Sequence, residues 1–288
     1  MILPDFEYLA PTSLQAACNI LRNFGSGSKI MAGGTDLINP MKDKVLKPNY
    51  VIDIKNIPNL DQLEFDAEKG LKIGALTKIR DIECSPVIKR EYPALAEAAH
   101  VIASTQIRSK GTMVGNICNA SPSADSVPAL LVLDATLKVT GPEGSRNIPI
   151  SEFFVGFKKL ALEPDEVVTA ITVPAIPSDT RAAYIKHAYR KAMDLAIVGV
   201  AASVTMAGEK CTGARIALGA VAPTAVRSPS AEAVLIGKVP AAAVLEEAGV
   251  AAMKDCAPIS DIRASAEYRR DMVRVFTRRA IQKALEQF

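Results

Sequence analysis

Two glycine-rich segments carry residue types that can hold a charged cofactor. The first, KIMAGGTDL at residues 29–37, places a glycine pair and a Thr-Asp pair directly after a short apolar run. Such a loop brings backbone N–H groups close together, and these donors bind phosphate. Its sequence matches neither the dinucleotide fingerprint nor the nucleoside-triphosphate loop. The segment therefore predicts a diphosphate site of another kind, to which Thr35 adds a hydroxyl donor.

The second segment, QIRSKGTMVGNICNASPSADSVP at residues 106–128, is rich in small and polar residues. Since it has only scattered apolar positions, we predict a packed loop whose glycines let the backbone approach a flat or charged ligand. Asp36 and Asp125 suit the sugar hydroxyls or ring N–H groups of a cofactor better than its phosphates. Two such segments predict a crevice between subdomains. Turn-forming loops without a ligand are the alternative.

Length and composition limit the classes of protein that fit. A chain of 288 residues with 49% hydrophobic content supports two or three compact units. The formal net charge of +3 is too small for a nucleic-acid-binding surface. No secretory pattern is visible at the amino terminus, so we expect a cytoplasmic protein. The most apolar run, residues 195–208, is shorter than the roughly 18 residues of a membrane span and predicts a buried strand or helix.

The cysteines argue against a metal site in this chain. Five cysteines form no CxxC pair and are widely spaced: Cys18, Cys84, Cys118, Cys211 and Cys256. Clustered zinc or iron–sulfur ligation is therefore not expected, and an odd number of cysteines does not suggest a disulfide framework. We predict free, buried thiols.

Apolar periodicity and turn residues divide the chain into three units. We place these units at 1–58, 59–176 and 177–288. Helices are predicted at 13–23, with Thr12 or Ser13 as the cap, and around 92–103, and a strand leads into a helix over 70–83. Further strands are predicted at 28–34, 48–58, 135–141 and 166–174.

The chain closes with a predicted helix. One side of that helix is expected to carry Tyr268, Met272, Val275, Phe276 and Ala280. Its arginines are expected to lie largely on the solvated side: Arg269, Arg270, Arg274 and Arg278.

In its motifs the chain resembles the FAD-binding medium subunits of the molybdenum hydroxylases, which include xanthine dehydrogenase, aerobic carbon monoxide dehydrogenase, nicotinate dehydrogenase and 4-hydroxybenzoyl-CoA reductase. The resemblance lies in the segments 32–42, 106–135, 189–202, 216–227 and 261–281, which occur in the family's order. It implies an α+β fold: a p-cresol methylhydroxylase-type FAD-binding domain of two subdomains, followed by a smaller α+β C-terminal domain resembling that of the carbon monoxide dehydrogenase flavoprotein.

The resemblance also implies FAD as the cofactor and a set of residues around it. The first segment would surround the diphosphate and ribityl chain with Lys29, Ile30, Met31, Ala32, Gly33, Gly34, Thr35, Asp36 and Leu37. The second would contribute Ile107, Thr112, Gly115, Asn116, Cys118, Ala124 and Asp125. Val168 matches an apolar position that lines the cofactor, and Lys186 matches a lysine near the flavin ring.

Two positions and one missing insertion depart from the family pattern. Val114 stands where many relatives have glycine, which predicts a narrower approach to the cofactor. Leu195 stands where some relatives carry a tyrosine beside the flavin. The cysteine-rich insertion that holds a four-iron cluster in 4-hydroxybenzoyl-CoA reductases is missing, which argues against iron in this chain.

The function implied by the resemblance is that of an oxidoreductase subunit at the flavin end of an electron-transfer chain. Its partners would be a molybdenum-cofactor large subunit and a [2Fe–2S] small subunit, in a dimer of heterotrimers, with a soluble acceptor such as NAD. FAD carries the redox chemistry, so no acid–base side chain is required, and His100 and His187 are expected to be structural or at the surface. A self-contained FAD oxidase of the same fold and a purely assembling subunit are the alternatives.

Overall fold

Three short parallel strands near the amino terminus form the first sheet of the computed structural model, which describes residues 3–288. The elements are β1 (Glu7–Leu9), α1 (Leu14–Phe24), β2 (Ser28–Met31), α2 (Ile38–Lys42) and β3 (Tyr50–Asp53), and the strand order is β1-β3-β2. Ser13 caps α1 by accepting the Ala16 N–H at 3.2 Å, as the sequence predicts. The first glycine segment thus follows the carboxyl end of a parallel strand, a common place for ligand sites in open α/β sheets.

The second sheet is antiparallel and has five strands in the order β4-β5-β10-β6-β7. Its strands are β4 (Leu63–Asp66), β5 (Gly70–Gly74), β6 (Thr136–Gly141), β7 (Gly144–Pro149) and β10 (Val167–Val173), beside a hairpin of β8 (Phe154–Gly156) and β9 (Lys159–Leu160). The helices of this part are α3 (Ile79–Cys84), α4 (Pro86–Glu91), α5 (Pro93–Val101), α6 (Thr105–Arg108), α7 (Met113–Cys118), α8 (Ser126–Val132) and α9 (Ile150–Phe153). The strands and helices predicted in this part of the chain are confirmed.

The third sheet is also antiparallel, with four strands in the order β11-β12-β13-β14. Its elements are β11 (Thr180–His187), β12 (Val198–Ala207), β13 (Lys210–Gly219), β14 (Val226–Arg227), α10 (Pro229–Leu235), α11 (Ala242–Ala252) and α12 (Ala266–Leu285). The apolar run predicted as a buried strand or helix is largely the strand β12. The α+β class is confirmed.

Two clusters of buried apolar side chains hold these layers together. The larger lies around the first two sheets and also includes Tyr184, Ala201 and Ala217 of the third. The smaller lies between the third sheet and α10, α11 and α12. Because the larger cluster crosses between the sheets, the C-terminal domain packs directly on the part that carries both glycine segments.

The second glycine segment is more helical than the predicted loop. The Thr112 hydroxyl accepts the Gly115 N–H at 3.0 Å and begins α7, and α8 begins within the same segment. The six residues of α7 make fewer than two turns, and α8 is buried along its whole length, so neither helix shows an amphipathic period that could reveal it.

The faces predicted for α12 were partly wrong. Arg269 is only 3% exposed, whereas Tyr268 is 39% exposed. The burial of the Arg269 guanidinium is compensated by hydrogen bonds, since it donates to the carbonyl oxygens of Ile197 and Ala220 at 2.9 and 3.2 Å. A buried charge with such partners cannot be distinguished from a solvated arginine by sequence spacing.

The prediction of buried thiols holds for Cys18, Cys211 and Cys256, whereas Cys84 is exposed and Cys118 is half-buried. All five are free thiols. Within residues 3–288, no helix combines the length and apolar character that crossing a membrane requires.

Candidate functional site

The two glycine segments touch each other through their backbones. A Cβ at Gly33 would overlap the carbonyl oxygen of Lys110, and a Cβ at Gly111 would lie 3.2 Å from the Thr35 hydroxyl oxygen. Glycine at position 33 is therefore required by the contact between the two segments. At this point the two segments, between which the sequence predicts a crevice, are in direct contact.

Beside the junction, the first segment presents backbone donors. Gly34 has a φ of +75°, and its carbonyl oxygen accepts the Ile38 N–H at 2.9 Å to close a turn. In the described part of the chain, the N–H groups of Thr35, Asp36 and Leu37 donate to no protein acceptor. Successive N–H groups after a left-handed glycine form a concave anion site, so this turn fits a diphosphate. The Asp36 residue in this turn is exposed to solvent.

The second segment is held in place by its own polar side chains. Asn116 accepts the Ser126 hydroxyl at 2.6 Å, which joins α7 to α8. Val114 is 5% exposed and belongs to the larger core cluster. Its branched side chain therefore packs inward and does not narrow the crevice, contrary to the expectation from its departure from glycine.

Asp125 and Lys186 join the second segment to the C-terminal domain. The Lys186 ammonium lies 2.9 Å from the Asp125 carboxylate, and the two side chains are 8% and 7% exposed. Lys186 also donates to the carbonyl oxygens of Val101 and Asp194, at 3.1 and 2.7 Å. The pair is thus buried with its remaining hydrogen bonds formed, which a stable buried ion pair requires.

Tyr184 is a third member of this buried polar group, and its contact with Asp125 was not predicted from the sequence. Its hydroxyl donates to the second Asp125 oxygen at 2.7 Å. Burial and the neighbouring carboxylate raise the pKa of Tyr184 well above its ordinary value, so the hydroxyl stays protonated and donates. A signal was available, because Tyr184 and Lys186 are two residues apart on β11 and therefore face the same side.

A cavity of about 360 Å³ opens beside the second segment. Its walls are mostly apolar, with one charged end: Pro122, Ser123, Phe157, Leu195, Ala196, Ala220, Ala222, Pro223, Ala257, Ile259, Asp261, Arg263 and Arg269 line it. Arg269 links three wall segments, since it also donates to Asp261 at 2.8 Å. Burial raises the pKa of Asp261, but N–H groups of Arg263, Arg269 and Ala264 outweigh it and lower the value to about 2.

Four further predicted residues belong to the two glycine segments or to a strand that packs on the second. Lys29 is exposed on β2, and the half-buried Ile30 packs against the larger core cluster. Val168 is 4% exposed in β10, a strand that packs against α7. Burial raises the pKa of the Cys118 thiol to about 12, so this side chain is a neutral neighbour and not a reactive thiolate.

The two histidines lie outside both glycine segments. His100 is 71% exposed in its side chain and lies with Nδ1 2.8 Å from a Glu83 oxygen. His187 stacks on Phe276 with ring centres 4.8 Å apart, and burial lowers its pKa. Both are structural or surface groups, as predicted. Residues 3–288 contain no group of three or more histidine, cysteine or acidic side chains arranged to hold a metal ion.

Two family models match the chain and cover nearly all of it. The model described as the FAD binding domain in molybdopterin dehydrogenase matches residues 4–176. The model described as the CO dehydrogenase flavoprotein C-terminal domain matches residues 183–284.

Individual relatives from the same family are similar to this chain over nearly its whole length and theirs. The carbon monoxide dehydrogenase medium chain of Hydrogenophaga pseudoflava is 37% identical over 284 residues, which cover 99% of this chain and 98% of the relative. A putative xanthine dehydrogenase FAD-binding subunit of Escherichia coli K12 is 34% identical, with 98% and 97% covered. In a solved structure of carbon monoxide dehydrogenase from H. pseudoflava, one chain matches with a TM-score of 0.95 and 99% coverage of both chains.

Proposed function

The chain belongs to the FAD-binding subunits of the molybdenum hydroxylases, and on that basis we propose that it transfers electrons between the [2Fe–2S] clusters of a partner subunit and a soluble acceptor such as NAD. It is an oxidoreductase subunit whose cofactor is FAD. Its proposed partners are a molybdenum-cofactor large subunit and an iron–sulfur small subunit, in a dimer of heterotrimers. Location in the cytoplasm stays a prediction.

One observation supports this proposal above the others: the two glycine segments meet beside a turn with three N–H groups that donate to no acceptor within residues 3–288. In the proposed site, Thr35, Asp36 and Leu37 bind the diphosphate through their backbone. Lys186 and Asp125 fix the second segment against the C-terminal domain.

FAD supplies the redox chemistry when bound, because it can accept single electrons and give up an electron pair. The chain's residues bind and orient the cofactor, and their charges set its electrostatic surroundings. No residue of this chain is assigned a proton-transfer step with the substrate, which agrees with the structural positions of both histidines.

Stopped-flow spectroscopy of the assembled complex tests the electron-transfer role. After FAD is stripped, substrate should still bleach the iron–sulfur absorption bands, but turnover with the physiological acceptor should be lost and should return when FAD is added. Iron–sulfur bands that stay oxidised in the presence of substrate would contradict the proposed order of carriers.

The isolated chain provides the complementary test. It should bind FAD and fail to oxidise or reduce any substrate of the complex, whereas turnover by the chain alone would favour the self-contained oxidase. Acid precipitation should release the flavin as FAD, since no covalent attachment is expected. Flavin in the pellet, or FMN in the supernatant, would contradict non-covalent FAD binding.

A further inference from the structure

Behind the junction of the two glycine segments lies a buried ion pair with no assigned role. Glu83 and Arg108 are each 6% exposed. The guanidinium holds the carboxylate through two bonds, from Nε at 2.8 Å and from Nη2 at 3.0 Å. Such a two-pronged pair fixes the relative orientation of both groups, which a single contact between charges does not.

The pair is completed by groups that leave neither side chain unsatisfied. Arg80 and His100 add contacts of 2.9 and 2.8 Å to the Glu83 oxygens. The remaining Nη1 of Arg108 donates to the Ile102 carbonyl oxygen at 2.9 Å. Arg108 therefore ties the end of α6 both to α3 and to the residue that follows α5.

The same helix, α3, holds the second glycine segment at another point. At its first residue, the Ile79 N–H donates to the Gly111 carbonyl oxygen at 3.0 Å, and near its other end Glu83 holds Arg108. Lys110 lies between these two anchors, and its carbonyl oxygen is the atom that faces Gly33. The position of that carbonyl is thus fixed from both sides by one six-residue helix.

We propose that Glu83 and Arg108 are positioning residues for FAD, because they set where the second glycine segment lies against the first and hence the shape of the diphosphate turn. This inference rests on the proposed placement of the FAD diphosphate at the turn of the first segment, beside its contact with the second. Neither side chain contacts the cofactor in this arrangement. Weakening the pair moves Lys110 relative to Gly33 and lowers FAD affinity while the fold persists.

Two substitutions in the full-length chain test the proposal. R108K keeps the positive charge but loses the two parallel N–H donors of the guanidinium. E83Q keeps the shape of the side chain but loses its negative charge. Titration of each apoprotein with FAD should give a Kd at least tenfold higher than that of the unchanged chain. At saturating FAD, the 31P NMR signals of the bound diphosphate should also shift, because the turn that surrounds it has changed.

A control with the same pair geometry is available in the same domain. Arg146 and Glu166 form a two-pronged pair at 2.7 and 2.8 Å, between β7 and the residue before β10, with side chains 48% and 10% exposed. E166Q should leave the FAD Kd within twofold, even if the apoprotein melts at a lower temperature. A loss of affinity that merely followed stability would appear in E166Q as well.

The outcomes separate this proposal from the placement of FAD itself. If Gly34→Val weakens FAD binding but R108K and E83Q leave the Kd and the 31P signals unchanged, the positioning role is wrong and the placement stands. If Gly34→Val also has no effect, the placement is wrong. Should both pair variants fail to fold, Glu83→Asp, which keeps the charge and shortens its reach, decides by the same two measurements.

Discussion

The Asp125 carboxylate and the Lys186 ammonium lie 2.9 Å apart although 61 residues separate them along the chain. One belongs to the second glycine segment and the other to the first strand of the C-terminal sheet. The region matched by the FAD-binding model therefore depends on the following domain for the charge balance of its own site.

Replacing Lys186 with Met should lower the free energy of unfolding by about 3–5 kcal/mol, because it leaves the buried Asp125 carboxylate without a cation. Urea unfolding of the apoprotein measures this loss. Lys72→Met is the control, since Lys72 and Glu64 are 45% and 54% exposed and such pairs contribute about 0–1 kcal/mol. Equal losses of unfolding free energy in the two variants would show that the buried Asp125–Lys186 pair stabilises the fold no more than an exposed pair does.

The hydroxyl of Tyr184 should be sensitive to the size of residue 199. A Cβ at Gly199 would lie 2.6 Å from that oxygen, so Gly199→Ala should push the hydroxyl away from Asp125. The expected loss of stability is about 1–3 kcal/mol, since a buried acceptor loses its donor and the core is overpacked.

A double-mutant cycle identifies the cause of this loss. In a Tyr184→Phe background the clashing oxygen is absent, so Gly199→Ala should cost clearly less than in the unchanged chain. Additive effects would mean that the Gly199 substitution acts through another contact.

The two glycines of the first segment should fail in different ways when they are replaced. Gly33→Ala should displace the Lys110 backbone and abolish most FAD binding, because the added Cβ has no room. Gly34→Ala should cost about 1–2 kcal/mol of stability because φ is +75° there, and should weaken FAD binding through distortion of the turn.

Gly208→Ala is the control for backbone strain alone. Gly208 has a φ of +59° with no neighbouring atom within 4 Å of an added Cβ. Its replacement should lower the melting temperature and leave the FAD Kd unchanged. A weaker FAD affinity in this variant would show that general destabilisation explains the glycine effects.

Glu83 should make the protein sensitive to acid over a defined range. Burial raises its pKa, but hydrogen bonds from Arg108, His100 and Arg80 outweigh burial and lower it from 4.5 to about 2. Because the folded-state pKa is depressed, this stabilisation is present above pH 4.5 and is lost as the pH falls from 4.5 towards 2.

Urea unfolding between pH 2 and 6 tests this range. The unfolding free energy of Glu83→Gln should fall less steeply with acid below pH 4.5 than that of the unchanged chain. The exposed Glu68 supplies the control, and Glu68→Gln should keep the steep dependence. Parallel curves for the unchanged chain and Glu83→Gln would contradict the depressed pKa.

Local patterns predicted much of the fold. The cap at Ser13 and the sheet strands follow from turn residues and apolar alternation, which are local signals. The helices α7 and α8 were not predicted, because α7 is too short to show a period and α8 is buried along its whole length and so has no apolar stripe. Arg269 escaped because its partners are backbone carbonyl oxygens 49 and 72 residues away, which no spacing reveals.

The candidate site was predictable as a set of segments but not as a set of contacts. Both glycine segments were recognisable from their composition. The contact that requires glycine at position 33 is with Lys110, and this becomes visible only when the chain is folded. The Glu83–Arg108 pair had no signal at all, since an arginine within a polar segment looks the same whether it is solvated or buried.

Arg269 holds the cavity through main-chain oxygens of Ile197 and Ala220, and every residue has a main-chain oxygen. Among the lining side chains, Arg269 and its acceptor Asp261 therefore form the frame of the cavity. Leu195, Phe157 and Ile259 can be exchanged without loosening that frame, because none of them supplies an atom to it. Substitutions at these three positions should therefore change the shape and polarity of the cavity while the hydrogen bonds of Arg269 are kept.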